Sequence, residues 1–115
     1  MPWIFYNSSG QQVGPGNVGE YGVYVYPATG VSYTVTGTTN TFVGINNAAI
    51  VSGILPASVG AGMVVAFQDW GGNATAANQI AITVTGGGTI KGESVISVPN
   101  MLLKFVDTPN GWSSQ

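Results

Sequence analysis

Turn-forming residues punctuate this chain too often for any long regular element to fit between them. Eighteen glycines and six prolines are spread over 115 residues. Breaks fall at Gly10, Gly14-Pro15-Gly16, Gly30, Gly37, Asn46-Asn47, Pro56, Gly60, Gly71-Gly72, Gly86-Gly87-Gly88, Gly92, Pro99-Asn100 and Pro109-Asn110-Gly111. The runs between them are short and rich in Val, Ile, Thr, Tyr and Phe, which predicts an all-β chain of many short strands. Strands are expected at about 21–26, 31–36, 41–45, 48–54, 62–68, 79–85, 94–98 and 101–106. Within Tyr21–Tyr26 the tyrosines Tyr24 and Tyr26 alternate with Val23 and Val25, so one face carries rings and the other valines. Tyr33–Thr36 and Ile80–Thr85 alternate in the same way. Met63–Phe67 and Met101–Leu103 are apolar on both faces. Such strands are buried on both sides, or buried on one and packed against a partner on the other. The only weak helical candidate is Asn73–Gln79.

One domain is expected at this length. The first 20 residues differ in texture from the rest. They mix Gly, Gln, Asn and Ser behind the aromatics Trp3, Phe5 and Tyr6. They are read as an extended N-terminal arm over 1–20, preceding a β domain over 21–115. The expected fold is a compact antiparallel β-sandwich or barrel-like body.

Composition narrows function. Only 5% of residues are charged, against 44% hydrophobic, and the formal net charge is −2. Two lysines cannot neutralise a run of phosphates, so neither nucleic acid nor an anionic membrane is an expected partner. With no Cys and no His, the chain lacks a disulfide framework, thiolate metal sites and the commonest general base. Almost nothing titrates between pH 5 and 9. The opening Met1–Asn7 carries no basic residue and no long apolar run, so no signal peptide is expected there. A charge-poor β chain of this size is expected to hide surface in an oligomer or lattice.

Motifs add little chemistry. Gly14-Pro15-Gly16-Asn17-Val18-Gly19 matches the spacing of a dinucleotide-binding loop, but an alternating strand follows it rather than a helix. The four carboxylates, Glu20, Asp69, Glu93 and Asp107, show no spacing that favours a catalytic pair. Each lies in or beside a turn, where an acid usually caps or is solvated. Lys91 and Glu93 flank Gly92 and read as a surface pair of little energetic weight. Asn7-Ser8-Ser9 and Asn73-Ala74-Thr75 match the glycosylation sequon by chance. Asp69-Trp70-Gly71-Gly72-Asn73 can be read as an aromatic sugar platform, or as a turn whose Trp packs across a strand or subunit boundary; the second is preferred. No enzyme activity, cofactor or metal is expected.

The stretch from about Ile54 to Trp112 resembles a segment found in structural proteins of tailed bacteriophages, in tail fibres and on capsid surfaces. The residues that carry the likeness begin with Leu55-Pro56-Ala57-Ser58 and Gly62-Met63-Val64-Val65-Ala66-Phe67-Gln68-Asp69. They continue with Gly72-Asn73-Ala74, Asn78-Gln79-Ile80-Ala81-Ile82-Thr83 and Gly86-Gly87-Gly88-Thr89-Ile90-Lys91-Gly92. They end with Leu103-Lys104-Phe105-Val106 and Asn110-Gly111-Trp112. The likeness covers roughly half of the chain and leaves the Tyr-rich first half out. It implies an antiparallel β body, commonly a homotrimer, in a virion assembled in the host cytoplasm, with no catalytic residue.

Two virion roles compete. A tail fibre is expected to carry an attachment domain and shaft ahead of its tip. A short β domain with an arm fits a capsid decoration, or cement, protein better, with the major capsid protein or other virion proteins as partners. A fibre tip or other tail component is the alternative, and a non-viral carbohydrate-binding β module a further one. Residues expected at interfaces are Trp3, Phe5, Tyr6, Met63, Phe67, Trp70, Phe105 and Trp112. Of these, Met63, Phe67 and Phe105, with Val65 and Leu102, are expected to form either the core or a trimer interface.

Overall fold

The chain alternates between two sheets as it advances, and this sets the architecture. The computed structural model describes residues 21–115; the expected arm at 1–20, with Trp3, Phe5 and Tyr6, lies outside the described residues. The strands are β1 (Val23–Ala28), β2 (Ser32–Thr34), β3 (Thr41–Ile45), β4 (Val51–Leu55), β5 (Val64–Asp69), β6 (Ile80–Val84), β7 (Ile90–Lys91), β8 (Val95–Ile96), β9 (Leu102–Thr108) and β10 (Gly111–Ser114). One sheet has the order β1-β3-β5-β9-β10-β7 and the other β2-β4-β6-β8.

Odd strands of the first six lie in the larger sheet and even strands in the smaller. Each strand therefore meets its neighbour only after a full turn through the opposite sheet, and the neighbours run parallel. β1 pairs with β3 and β3 with β5, both parallel. β2 pairs with β4 and β4 with β6, also parallel. The result is three stacked turns of a flattened two-sheet coil, built as repeat solenoids are. Antiparallel pairing enters only afterwards, where β9 lies between β5 and β10 and where β8 closes on β6. The all-β expectation holds, while the antiparallel sandwich is corrected to two mixed sheets. Alternation and turn residues reveal that strands exist. They do not reveal whether a connection returns along the same sheet or crosses to the other.

No helix forms among the described residues, and Asn73–Gln79 is an irregular loop. β7 and β10 fall in stretches where no strand was expected, 90–91 and 111–114.

Alternation decides which side chains face the core between the sheets. Val43, Ile45, Val65, Phe67, Leu103 and Phe105 point inward from the larger sheet, and Val51, Leu55, Ile80, Ile82 and Ile96 from the smaller. Burying each such side chain contributes about 1.5–3 kcal/mol. Gly53 sits inward on β4, where a Cβ would come within 2.6 Å of Ile82 and 2.8 Å of the Phe67 ring. The missing side chain is the space that Phe67 fills. Trp112 closes the far end of the core and donates its indole N–H to the Pro56 carbonyl at 2.8 Å.

Candidate functional site

The two sheets differ in what they show to the outside. On the smaller sheet the outward positions are mostly small or hydroxylated, Ser32, Thr34, Ser52, Ala81 and Thr83, with Ile54 and Val95 the larger apolar ones. On the larger sheet they are Tyr24 and Tyr26 on β1, Phe42 and Gly44 on β3, Val64, Ala66 and Gln68 on β5, Leu102, Lys104, Val106 and Thr108 on β9, Gly111 and Ser113 on β10, and Lys91 on β7. No acidic side chain lies among these positions.

Rings build the ledge at the β1–β3 end of that face. Tyr24 and Phe42 are register partners with centroids 5.8 Å apart. Tyr21 meets both rings edge-on at 5.9 Å. Trp70 follows β5 directly and folds back over the sheet, edge-on to Phe42 at 6.2 Å and tilted against Tyr26 at 5.0 Å. Gly44 makes this possible. A Cβ there would stand 3.0 Å from the Tyr26 Cβ and 3.3 Å from the Trp70 Cβ. Phe42 is buried beneath its neighbours, whereas Tyr26 stays 41% exposed. Further along the face Leu102 is 43% exposed.

Buried carboxylates hold the loops at both ends of the central β5–β9 pair. Asp69, at the end of β5, is 1% exposed. It accepts the backbone N–H groups of Asn73 (3.1 Å), Ala74 (2.8 Å) and Asn100 (3.1 Å). These bonds fold the 70–74 turn that carries Trp70 and tie it to the 97–101 connection. The Asn73 amide also donates to the Asn46 side chain at 3.3 Å. Asp107, near the end of β9, accepts the Ser58 hydroxyl and the backbone N–H groups of Val59 (2.9 Å) and Gly60 (3.0 Å). Burial pushes the Asp107 carboxyl up, but the bonds from Ser58, Val59, Gly60 and Ala61 outweigh it and hold the group below its ordinary value of 3.8. Because β5 and β9 are antiparallel, the two acids lie roughly 20 Å apart. That is too far for the carboxylate pair of a glycosidase.

A pocket of about 160 Å³ opens beside Asp107, lined by Gly37, Thr38, Asn40, Pro56, Val59 and Met63 among others. Ligand pockets usually measure about 300–1,000 Å³, and the only carboxylate in this one is already engaged by the 58–61 loop. Among the described residues no three His, Cys, Asp or Glu side chains gather to hold a metal ion.

Of the residues expected at interfaces, Met63, Phe67, Phe105 and Trp112 are buried inside a single chain. Their place in the chain is the core, because inward alternation carries them between the sheets. Val65 joins them there, while Leu102 faces outward. Trp70 alone of the described set reaches the outer face, where it packs across the β1–β3 boundary. Sequence reasoning missed Phe42, and with it the joining of Tyr24 to Phe42 and of Phe42 and Tyr26 to Trp70. The signal available was the ring-bearing face of β1 together with a glycine, Gly44, in an otherwise bulky strand.

No protein-family model matches the sequence, and no curated protein shows significant similarity to it.

Proposed function

We infer that this chain is a structural component of a tailed-bacteriophage virion, a small homotrimeric decoration protein that braces the head shell by bridging capsid subunits. One observation carries the reading: from β1 to β9 the larger sheet turns a mainly aromatic and aliphatic face outward, while the smaller sheet turns out mostly small and hydroxyl-bearing residues. A face of that kind is suited to burial against another protein surface. The likeness to phage structural proteins supports the same assignment, because the residues that carry it are framework residues. Asp69 with Asn73 and Ala74, and Pro56 with Trp112, are hydrogen-bonded pairs that shape the body. None of them is committed to chemistry on a substrate.

Co-sedimentation with undecorated phage heads tests this reading. The wild-type chain is expected to pellet with heads, and Tyr26→Ser combined with Leu102→Ser to lose that binding while keeping its fold. Failure of the folded wild-type chain to bind heads would overturn the decoration role. A second reading, a tail component that contacts a glycan, draws on the exposed Tyr26 ring leaning on Trp70. It predicts retention on a glycan array that Tyr26→Ser abolishes.

A further inference from the structure

Amide side chains gather around the Tyr26–Trp70 pair and give the ring ledge a polar rim. Gln68 is the register partner of Gly44, the glycine over which Trp70 folds back. Asn46 follows β3 directly, and Asn73 lies in the turn that carries Trp70. Gly71 lets these two amides meet beside Trp70. A Cβ there would stand 2.7 Å from the Asn73 Nδ2 and closer still to the Asn46 Oδ1.

Hydrogen bonds fix one end of each amide. The Asn73 Nδ2 donates to the Asn46 Oδ1 at 3.3 Å, and the Gln68 Nε2 donates to the Asn100 carbonyl at 3.2 Å. The opposite ends are the Asn46 NH2 group, a donor, and the side-chain carbonyls of Asn73 and Gln68, both acceptors. Asn46 is exposed, and Gln68, Trp70 and Asn73 are half-buried. The cluster carries no charge. Asp69 is buried and its carboxylate is taken up by three backbone N–H groups. Lys104 lies one same-face position beyond Leu102 along β9, roughly 7 Å further along the sheet than Gln68. The same Asp69 bonds hold the two loops that supply Trp70, Asn73 and the Asn100 carbonyl, so the arrangement is organised before a ligand arrives.

An exposed ring beside neutral donors and acceptors matches the two-sided chemistry of a pyranose. The sugar's C–H face is apolar and packs on the ring, while each hydroxyl at its edge both donates and accepts. The cluster offers no cation to a carboxylate or sulfate group. We propose that Tyr26, backed by Trp70, and the amides of Asn46, Gln68 and Asn73 form a binding site for one neutral hexopyranose unit of a glycan. The proposal rests on the second reading above for its ring contact, and it adds the sugar class and the polar side chains that recognise it.

Saturation-transfer NMR on the intact chain tests this, with the methyl glycosides of glucose, galactose, mannose and N-acetylglucosamine as probes at up to about 20 mM, which reaches millimolar sites. At least one of these is expected to receive saturation, strongest at its C–H face, and N-acetylneuraminate is expected to receive none. Tyr26→Ser should abolish the transfer. Gln68→Leu keeps the bulk but removes the acceptor, and should raise Kd about two- to tenfold, the worth of one hydrogen bond. Both positions are partly exposed on the outer face, and a Tm close to that of the wild-type chain shows that the variants fold. Transfer to none of the glycosides would overturn the site and the glycan reading together, while head co-sedimentation judges the decoration role separately. Transfer lost in Tyr26→Ser but unchanged in Gln68→Leu would overturn the amide rim and leave the ring contact of the second reading standing. Transfer that survives Tyr26→Ser, or is stronger to N-acetylneuraminate, would overturn the proposal.

Discussion

Replacing Asp69 with Ala should cost more than its position beside a loop suggests. The side chain is buried and accepts three backbone N–H groups, from Asn73, Ala74 and Asn100. Alanine leaves all three donors without that partner. The Ala74 N–H lies in a buried bond, and losing its acceptor costs about 1–3 kcal/mol. The other two bonds are partly buried, so water can replace the carboxylate there at a smaller loss, about 0.5–1 kcal/mol each. The total is about 2–5 kcal/mol, a large share of the roughly 5–15 kcal/mol that holds a domain folded. Urea unfolding followed by tryptophan fluorescence measures it, since Trp70 is carried on the turn that these bonds shape. Glu93→Ala, at an exposed position, is the reference and should change stability by less than about 0.5 kcal/mol. An Asp69→Ala loss below about 1 kcal/mol with an unchanged m-value would refute the claim that this carboxylate holds the two loops together.

Asp107 gives a pH-dependent counterpart. Its carboxyl titrates below 3.8 in the folded chain, so its stabilisation is fully present above the unfolded value and is lost as pH falls through the folded one; Asp107→Asn should therefore flatten the acid limb of a Tm-against-pH curve below about pH 4. Gly53→Ala places a methyl within 3 Å of Ile82 and Phe67 and should destabilise by about 1–3 kcal/mol, with Phe67→Leu in the same chain recovering part of the loss in thermal unfolding. Binding through the larger sheet's outer face rests on rings and aliphatic groups, so raising salt from about 0.05 to 0.5 M should weaken head co-sedimentation by less than about threefold; a steep loss would point to the lysines instead.

Strand existence was legible in the sequence because period-2 alternation is a local property. Tyr24 and Tyr26 did separate from Val23 and Val25 onto opposite faces, as the residues alone implied. Strand direction was not legible. A connection such as Thr29–Val31 reads as a hairpin turn, yet it carries the chain into the other sheet. β10 was hidden because Gly111-Trp112-Ser113-Ser114 lacks β-branched residues, and only pairing with β9 makes it a strand. The acids were recognised as turn residues, but their depth was not, since burial depends on two loops distant in sequence closing over one carboxylate. The ring ledge lay beyond local reading for the same reason. Tyr26, Phe42 and Trp70 are 16 to 44 positions apart, and only the parallel stacking of β1, β3 and β5 brings them together.

The parallel stack also explains how so few charges can serve so much surface. Asp69 and Asp107 are spent inside, fastening the ends of the β5–β9 pair. Lys91, Lys104 and Glu93 are then the only charged side chains outside the core among the described residues. A free-standing domain ordinarily keeps solubility with many more. Here the smaller sheet supplies hydroxyl groups, which hydrate without depending on pH, while the larger sheet keeps its apolar face. The polar side can face solvent under any ionic condition, and the ringed side gains most by being covered. A coil built from short turns separates the two properties cleanly, because each turn contributes one strand to each sheet and every added turn widens both faces at once.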